Sequence, residues 1–274
     1  MPSSRELRER MAAVLQQYLA LDEELRRAES HHFRVCVFGS ARIRQGDPVY
    51  AMVHDLAKEL GMLGADVVTG GGPGLMEAAN SGLQDAHSQK VRSYGLPLAV
   101  PTIGEPANKH LDIKSMHSRF SLRLDEFMRL SHAVVVAPGG IGTLLELFYV
   151  WQLLQLSMIE KRVVLMLSRR YWDGLLSWMH DQVLAHGLIG AKDLDLVRVV
   201  DTIEEAIAIL GPEIQAFQQA RNRRAAAQPA AARAVADATK AAASGGTEDE
   251  VREALQRAER ALRSMQNDDP PPAK

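Results

Sequence analysis

Glycine-rich turns occur at three places in the sequence, each directly after a short apolar run. The turns are FGSA at residues 38–41, TGGGPG at 69–74 and APGGIGT at 137–143. Glycine permits positive φ and carries no Cβ, so a ligand can reach the backbone N–H groups, and a helix that starts at the turn directs its positive dipole end to the same point. Such turns accept a phosphate, and Thr143 adds a hydroxyl donor. The alternative is that these are tight strand-to-helix turns that bind no ligand. The presence of three glycine turns on one sheet edge makes that alternative the weaker one.

Two common nucleotide-binding motifs do not fit these turns. A phosphate loop of the GxxxxGK[ST] type needs a lysine followed by serine or threonine after its last glycine, and none of the three turns has this pair. A dinucleotide fingerprint places three glycines after the first strand, where this chain has Gly39 alone. We therefore expect a mononucleotide ligand and keep an NAD-dependent oxidoreductase as a weaker alternative.

Charged side chains accompany the turns. Glu77 and Glu146 each lie in the first turn of a predicted helix that begins at a glycine turn. Capping alone explains either carboxylate, but a carboxylate beside a bound phosphate indicates a separate task, such as holding a sugar hydroxyl or a water. Arg119 and Arg123 share one helix face, and arginine suits bidentate contact with phosphate. Exposed helix charges are the alternative for Arg119, and they are the favoured interpretation of Arg129 on the same helix.

The elements that must position these residues alternate between strands and helices. Short β-branched runs predict strands at residues 35–38, 66–69, 96–100, 133–137, 163–167 and 196–200. Helical periodicity predicts helices at residues 50–63, 75–85, 118–130, 144–156 and 172–186. The predicted fold class is therefore α/β, a doubly wound, mainly parallel, Rossmann-like sheet with helices on both faces and its ligand at the carboxyl ends of the strands.

The regions on either side of this domain differ from it in composition. Residues 5–29 place apolar side chains on one helical face, which predicts an N-terminal helix. After residue 211 the chain becomes rich in alanine, and residues 247–262 resemble a capped amphipathic helix. We divide the chain into an N-terminal helix (1–32), a nucleotide-binding domain (33–211) and a helical, partly disordered C-terminal extension (212–274), which is either a mobile tail or a docking segment.

Composition and charge exclude several classes of protein. The 274 residues are 46% hydrophobic, and 32 basic against 34 acidic residues give a net charge of −2, so no global field attracts a nucleic acid polymer or an anionic membrane. No run approaches the roughly 20 apolar residues of a membrane span. The single Cys36 makes no internal disulfide, and the first residues lack the apolar core of a secretory signal. We expect a cytoplasmic protein.

Three segments together resemble a known family. Residues 138–146 (PGGIGTLLE) resemble the PGGxGTxxE signature of the LONELY GUY (LOG) family, whose members are often labelled lysine decarboxylase-like. Residues 70–80 (GGGPGLMEAAN) resemble the second glycine motif of that family, and residues 38–40 (FGS) resemble its first. The order and spacing of these motifs make the resemblance more specific than a lone GxGxxG.

The resemblance implies a phosphoribohydrolase, which cleaves the N-glycosidic bond of a nucleoside 5′-monophosphate, such as a cytokinin riboside monophosphate or AMP, to free base and ribose 5-phosphate. It implies Glu146 and Arg123 as catalytic residues, and Arg123 lies fifteen residues before Pro138, as the family arginine does. Leu145 stands where an acidic residue is usual, and Leu124 where a lysine is common. The resemblance implies no pyridoxal phosphate, and we expect neither a cofactor nor a metal.

A mechanism follows from combining the resemblance with the residues. Glu146 near C1′ would stabilise an oxocarbenium-like transition state or activate a water, and Arg123 would orient the nucleotide or assist the departing base. The expected substrate-binding residues are Gly39, Ser40, Gly71, Gly72, Glu77, Pro138, Gly139, Gly140, Ile141, Gly142 and Thr143. A non-catalytic nucleotide sensor or regulatory protein on the same fold is the alternative, which Leu145 and the C-terminal extension motivate.

A homodimer or higher homo-oligomer is the expected assembly. Members of the family commonly dimerise, and residues 147–154 (LFYVWQLL) are apolar around more of a helix than a surface position requires. Such a helix is buried within the domain or against another subunit. The preferred base depends on the shape of the pocket, which no motif encodes.

Overall fold

The computed structural model describes residues 32–88, 90–99 and 106–243, together with residues 253, 256, 257 and 260, which are helical. The predicted N-terminal helix lies outside the described residues, as does most of the predicted helix at 247–262. None of the helices in the described part of the chain combines the length and the apolarity that a membrane span needs.

Strands and helices alternate along the described chain. In order they are β1 (Arg34–Phe38), α1 (Pro48–Met62), β2 (Asp66–Thr69), α2 (Leu75–Asp85), β3 (Ser93–Gly95), β4 (Ile113–Lys114), α3 (Phe120–Leu130), β5 (Ala133–Val136), α4 (Ile141–Gln155), β6 (Val164–Leu167), α5 (Arg169–Trp178), which continues as a π-helix over Met179–Leu184, α6 (Ala191–Leu194), β7 (Arg198–Val200) and α7 (Ile203–Ala243).

The strands form one parallel sheet in the order β4-β3-β2-β1-β5-β6-β7. The chain moves outward from β1 to β4, returns to place β5 on the other side of β1, and then continues to β7. The direction of winding therefore reverses between β1 and β5, and in open α/β sheets the crevice at the carboxyl ends of two such strands is the usual ligand site. The predicted doubly wound α/β fold is confirmed.

The central strands separate two apolar cores. On β5, Val135 packs into the core that α1, α2 and α7 cover, whereas Val134 and Val136 pack into the core that α3, α4 and α5 cover. Side chains alternate because successive residues of a strand point to opposite faces of the sheet. Helices on both faces are therefore required to bury the sheet, as the continuous apolar runs predict.

The third strand lies elsewhere than predicted. The prediction of a strand at residues 96–100 is wrong, because β3 is Ser93–Gly95. The two-residue strand β4 was not predicted. Ser93–Gly95 pairs with β2 over three residues, while Leu98 makes an isolated bridge to His117. Pro97 has no N–H to donate to a ladder, which explains why the apolar run itself does not continue as a strand.

Helix α7 runs through Gly211 and Pro212, where the composition changes. Leu210, Ile214 and Ala220 are buried on either side of these residues, and Leu210 and Ile214 belong to the core. A proline inside a helix removes one backbone hydrogen bond, and burial of neighbouring side chains offsets that loss. The division of the chain at residue 211 stays a prediction.

Candidate active site

The three glycine turns meet at the carboxyl ends of β1, β2 and β5. The Ser40 N–H donates to the Pro138 carbonyl at 3.1 Å, and the Leu75 N–H donates to the Ser40 carbonyl at 3.0 Å. Gly74 has a φ of +72°, and a Cβ there would lie 2.5 Å from the Ser40 carbonyl oxygen. The first turn is thus bonded to both of the others, and the close approach at Gly74 requires glycine.

A buried polar network holds the second turn. The Asn80 Oδ1 accepts from the Thr69 hydroxyl at 2.7 Å and from the Asn108 Nδ2 at 3.0 Å. Asn108 also donates its backbone N–H to the Gly71 carbonyl at 2.8 Å and its Nδ2 to the Gly72 carbonyl at 2.9 Å. Sequence reasoning missed both asparagines as positioning residues, and the one available signal was a polar asparagine on the apolar face of α2.

The third turn opens at the start of α4. Gly140 is the N-cap residue, and a Cβ on Gly140 or Gly142 would meet no atom within 4 Å. Thr143 is buried at the base of the turn, where its Oγ1 would lie 2.1 Å from a Cβ on Gly139. The first N–H groups of a helix have no partner within it, so the exposed residues from Gly140 to Gly142 present donors beside open space. This is the geometry of an anion site at a helix N-terminus.

The first turn of α4 continues into a buried carboxyl group. Glu146 is 9% exposed, and burial raises its pKa from the ordinary value of 4.5 to about 7, although the positive charge of Arg123 opposes the increase. Burial, followed by the charge of Glu146, raises the pKa of the Cys36 thiol in the middle of β1. Near neutral pH both protonation states of Glu146 are populated, so this group can accept or donate a proton.

Helix α3 brings Arg123 to the same place. Its guanidinium carbon lies 5.1 Å from the ring centroid of Phe127 and 5.8 Å from that of Phe120. Its Nη2 lies so close to Gly70 that a Cβ there would be 2.2 Å away. Since the charge of Arg123 also opposes the rise in the pKa of Glu146, the cation lies close to both the second glycine turn and the buried carboxyl group.

Glu77 has different surroundings. It is half-buried in the first turn of α2, and burial followed by the charge of Glu77 raises the pKa of Tyr50 on α1. Helices α1 and α2 pack on the sheet face opposite to that of α3 and α4. The contacts therefore place Glu77 beside Tyr50, and its expected role in holding ribose hydroxyls stays a prediction.

A tyrosine from α5 reaches the third glycine turn. The Tyr171 hydroxyl donates a hydrogen bond to the Gly139 carbonyl, across 32 residues of sequence. Sequence reasoning did not identify Tyr171, because nothing in its local pattern connects it to the turn. Across residues 32–88, 90–99 and 106–243, no group of three or more His, Cys, Asp or Glu side chains is placed to hold a metal ion.

Comparisons with known proteins cover the same part of the chain. A profile of the family described as "Possible lysine decarboxylase" matches residues 76–210, which include α3 and α4. The "Probable cytokinin riboside 5'-monophosphate phosphoribohydrolase LOGL3" of Oryza sativa subsp. japonica is 34% identical over 180 residues, 65% of this chain and 82% of that protein. The "Cytokinin riboside 5'-monophosphate phosphoribohydrolase LOG" of the same plant is 30% identical over 188 residues, 68% of this chain and 75% of that protein. The "Pyrimidine/purine nucleotide 5'-monophosphate nucleosidase" of Escherichia coli strain K12 is 31% identical over 125 residues, 44% of this chain and 27% of that protein.

Proposed function

Because the chain belongs to the LONELY GUY (LOG) family, we propose that it hydrolyses the N-glycosidic bond of a nucleoside 5′-monophosphate, with free base and ribose 5-phosphate as products. The observation that carries the proposal is a buried Glu146 with a pKa of about 7 beside Arg123, at the sheet edge where the glycine turns meet. The relatives are named for cytokinin riboside 5′-monophosphates and for pyrimidine or purine nucleotide 5′-monophosphates, so the common substrate class is the nucleoside 5′-monophosphate.

The substrate's phosphate has a site at the start of α4. Its negative charge would be bound by the exposed N–H groups from Gly140 to Gly142 and by the positive end of the helix dipole. The first and second turns, with Gly39, Ser40, Gly71 and Gly72, would line the remainder of the sugar and phosphate site. Binding the phosphate at the helix N-terminus places the sugar near the Glu146 carboxyl group, one turn further along α4.

The chemistry is assigned to Glu146 and one water. The carboxylate takes a proton from the water, the water oxygen bonds to C1′, and the C1′–N bond breaks with its electron pair moving onto the base. The proton on Glu146 is then available to the leaving base, so water is the one co-reactant. Arg123 keeps part of Glu146 ionised, because its charge opposes the effect of burial on the pKa, and it orients the nucleotide.

The alternative of a nucleotide sensor without catalysis rests on Leu145 and on the C-terminal extension, and the exposure of Leu145 weakens the first of these two grounds. The Leu145 side chain is 44% exposed, whereas the side chain of Glu146 is buried. The departure from the usual acidic residue therefore changes the surface of α4 and leaves the buried carboxyl group in place. Nucleotide binding without release of base would favour the sensor.

The test is the variant Glu146→Gln assayed with a panel of nucleoside monophosphates. We expect base release to fall by about 10²- to 10⁴-fold, the usual contribution of a general acid or base, while AMP binding measured by calorimetry is retained. Glu126→Gln is the matched control, since Glu126 is a partly buried carboxylate on α3 that pairs with Arg129. Turnover of Glu146→Gln at the wild-type rate would refute the assignment.

A homodimer is proposed from one apolar stripe on α4. Ile141, Leu145 and Phe148 are 83%, 44% and 37% exposed and recur at helical spacing, so they share a face, while the opposite face of α4 is buried in the domain. A second copy of the chain would cover this stripe next to the phosphate site. Leu145→Glu should reduce the mass measured by light scattering to that of one chain, whereas Leu188→Glu, at a site 71% exposed on another segment, should not. A wild-type mass of one chain would overturn the dimer, and a dimeric mass that Leu145→Glu leaves unchanged would overturn its interface on α4.

A cytoplasmic location is part of the proposal. Cys36 is a free, buried thiol in the middle of β1, and free thiols persist in reducing compartments. Fractionation of cells that express the full chain tests the location directly. Recovery from the periplasmic or secreted fraction would refute it.

A further inference from the structure

The Tyr171 hydroxyl donates to the Gly139 carbonyl, and the other end of that peptide group is the N–H of Gly140, the N-cap residue of α4. The Gly139 carbonyl and the Gly140 N–H belong to the same planar trans peptide, so they point in opposite directions. Fixing the carbonyl therefore fixes the direction of the N–H. The space beside Gly140 is open, and no Cβ on either residue restricts this peptide, because both are glycines.

Tyr171 is 47% exposed and lies in the first turn of α5, the start of which is bonded to the neighbouring strand. The Ser168 N–H donates to the Val200 carbonyl at 2.9 Å, and the Arg169 N–H donates to the Asp201 Oδ1 at 2.6 Å, which ties the beginning of the helix to the end of β7. The Tyr171 ring packs edge-on against the buried Trp172, with centroids 4.8 Å apart.

The residue before α5 carries backbone strain. Ser168 has a φ of +78°, which is unfavourable for a residue with a Cβ. Strained backbone persists where the surrounding structure over-determines it, and it is concentrated at functional sites. Ser168 lies at the carboxyl end of β6, on the same sheet edge as the glycine turns, and this conformation directs α5 so that Tyr171 reaches Gly139.

We propose that Tyr171 is a positioning residue that holds the Gly140 N–H toward the 5′-phosphate, and so makes the site selective for phosphorylated over unphosphorylated nucleosides. The inference rests on the proposed function for the location of the phosphate. The hydrogen bond also withdraws electron density from the peptide, which strengthens the N–H as a donor to an anion. Tyr171 touches the turn and acts through it, so its effect falls on binding of the phosphate.

The test is Tyr171→Phe, which removes one hydroxyl and leaves the ring. We expect the Kd of AMP, measured in the Glu146→Gln background where turnover is blocked, to rise about 3- to 10-fold, the range of one hydrogen bond. The affinity for adenosine should stay the same. In the otherwise wild-type chain, KM for AMP should rise by the same factor with kcat unchanged.

Tyr149→Phe is the matched control, because its hydroxyl bonds to the Asp125 carboxylate on the outer side of α3 and α4. It should leave the ratio of AMP to adenosine affinity unchanged. An unchanged AMP affinity in Tyr171→Phe, or an equal loss for AMP and adenosine, would overturn the role of Tyr171. These affinities are measured without turnover, so a chain that binds AMP and releases no base would refute the hydrolase and still test Tyr171. A wild-type chain that binds neither ligand overturns both proposals.

Discussion

Glu146 makes the stability of this protein depend on pH in a direction opposite to that of most carboxylates. In the folded chain its pKa is about 7, and the ordinary value of 4.5 applies to the unfolded chain. Between these two values the folded state binds more protons than the unfolded state, so the free energy of unfolding falls as pH rises. The side chain of the variant Glu146→Gln does not titrate, so the variant lacks this fall in the free energy of unfolding.

The size of the effect follows from the two pKa values. Their difference is about 2.5 pKa units, and at about 1.4 kcal/mol per unit the loss is about 3 kcal/mol once the pH exceeds 7. Less than about 1 kcal/mol of this loss in the free energy of unfolding occurs below pH 5, because the carboxyl group of the unfolded chain is still partly protonated there. The advantage of Glu146→Gln over the wild type should therefore grow by about 2 to 3 kcal/mol between pH 5 and pH 8.

The assay is urea unfolding of both chains at pH 5 and pH 8, followed by tryptophan fluorescence. Contacts that the new amide gains or loses add the same amount at both pH values, so the change between them isolates the ionisation of Glu146. A difference between the two chains that is equal at pH 5 and pH 8 would refute the buried, proton-binding carboxyl group. The same group would then be unsuited to the proposed chemistry.

Three further outcomes follow from the site. Because the ionised form of Glu146 activates water, kcat/KM for base release should increase as pH rises through about 7, and a profile that is flat from pH 6 to 8 would contradict this role. Gly70→Ala places a Cβ 2.2 Å from the Arg123 Nη2, so base release should fall by at least about 10-fold, whereas Gly174→Ala, with no atom within 4 Å, should keep full turnover. Ser168→Gly removes the strain of a φ of +78°, so the free energy of unfolding measured in urea should rise by about 1 kcal/mol. A lower free energy of unfolding would contradict this account of Ser168.

The elements with strong local patterns were predictable from the sequence. Helix α2 begins and ends at the predicted residues, Leu75 and Asp85, because its apolar periodicity follows directly after a glycine turn. The strand β1 and the strand β5 were predicted to within one residue at each end, because both are short, continuous apolar runs. The local pattern gave the wrong position for β3. The more apolar run contains Pro97, which lacks an N–H, so the less apolar Ser93–Gly95, which has every backbone N–H, pairs with β2 instead.

The candidate site was predictable in its parts and less so in their arrangement. The glycine turns follow from residue type and spacing, Glu146 and Arg123 are singled out by the family resemblance, and the topology brings their elements to one sheet edge. The approach of Arg123 to Gly70 and the support from Asn108 and Tyr171 join residues far apart in sequence. Such contacts depend on how helices pack across the sheet, and a local pattern carries no information on that packing.

The two edge strands of the sheet are poorly suited to pairing with another chain. The edge strand β4 is two residues long and includes Lys114, and the opposite edge strand β7 is three residues long and begins with Arg198. Short edge strands with long cationic side chains offer few unpaired backbone groups to another chain and repel a second copy of the same edge. Extension of the sheet from one molecule to the next is thereby discouraged. The proposed homodimer uses a helix surface instead, the α4 stripe, and two-fold association through one such face stops at a pair and does not propagate into a fibre.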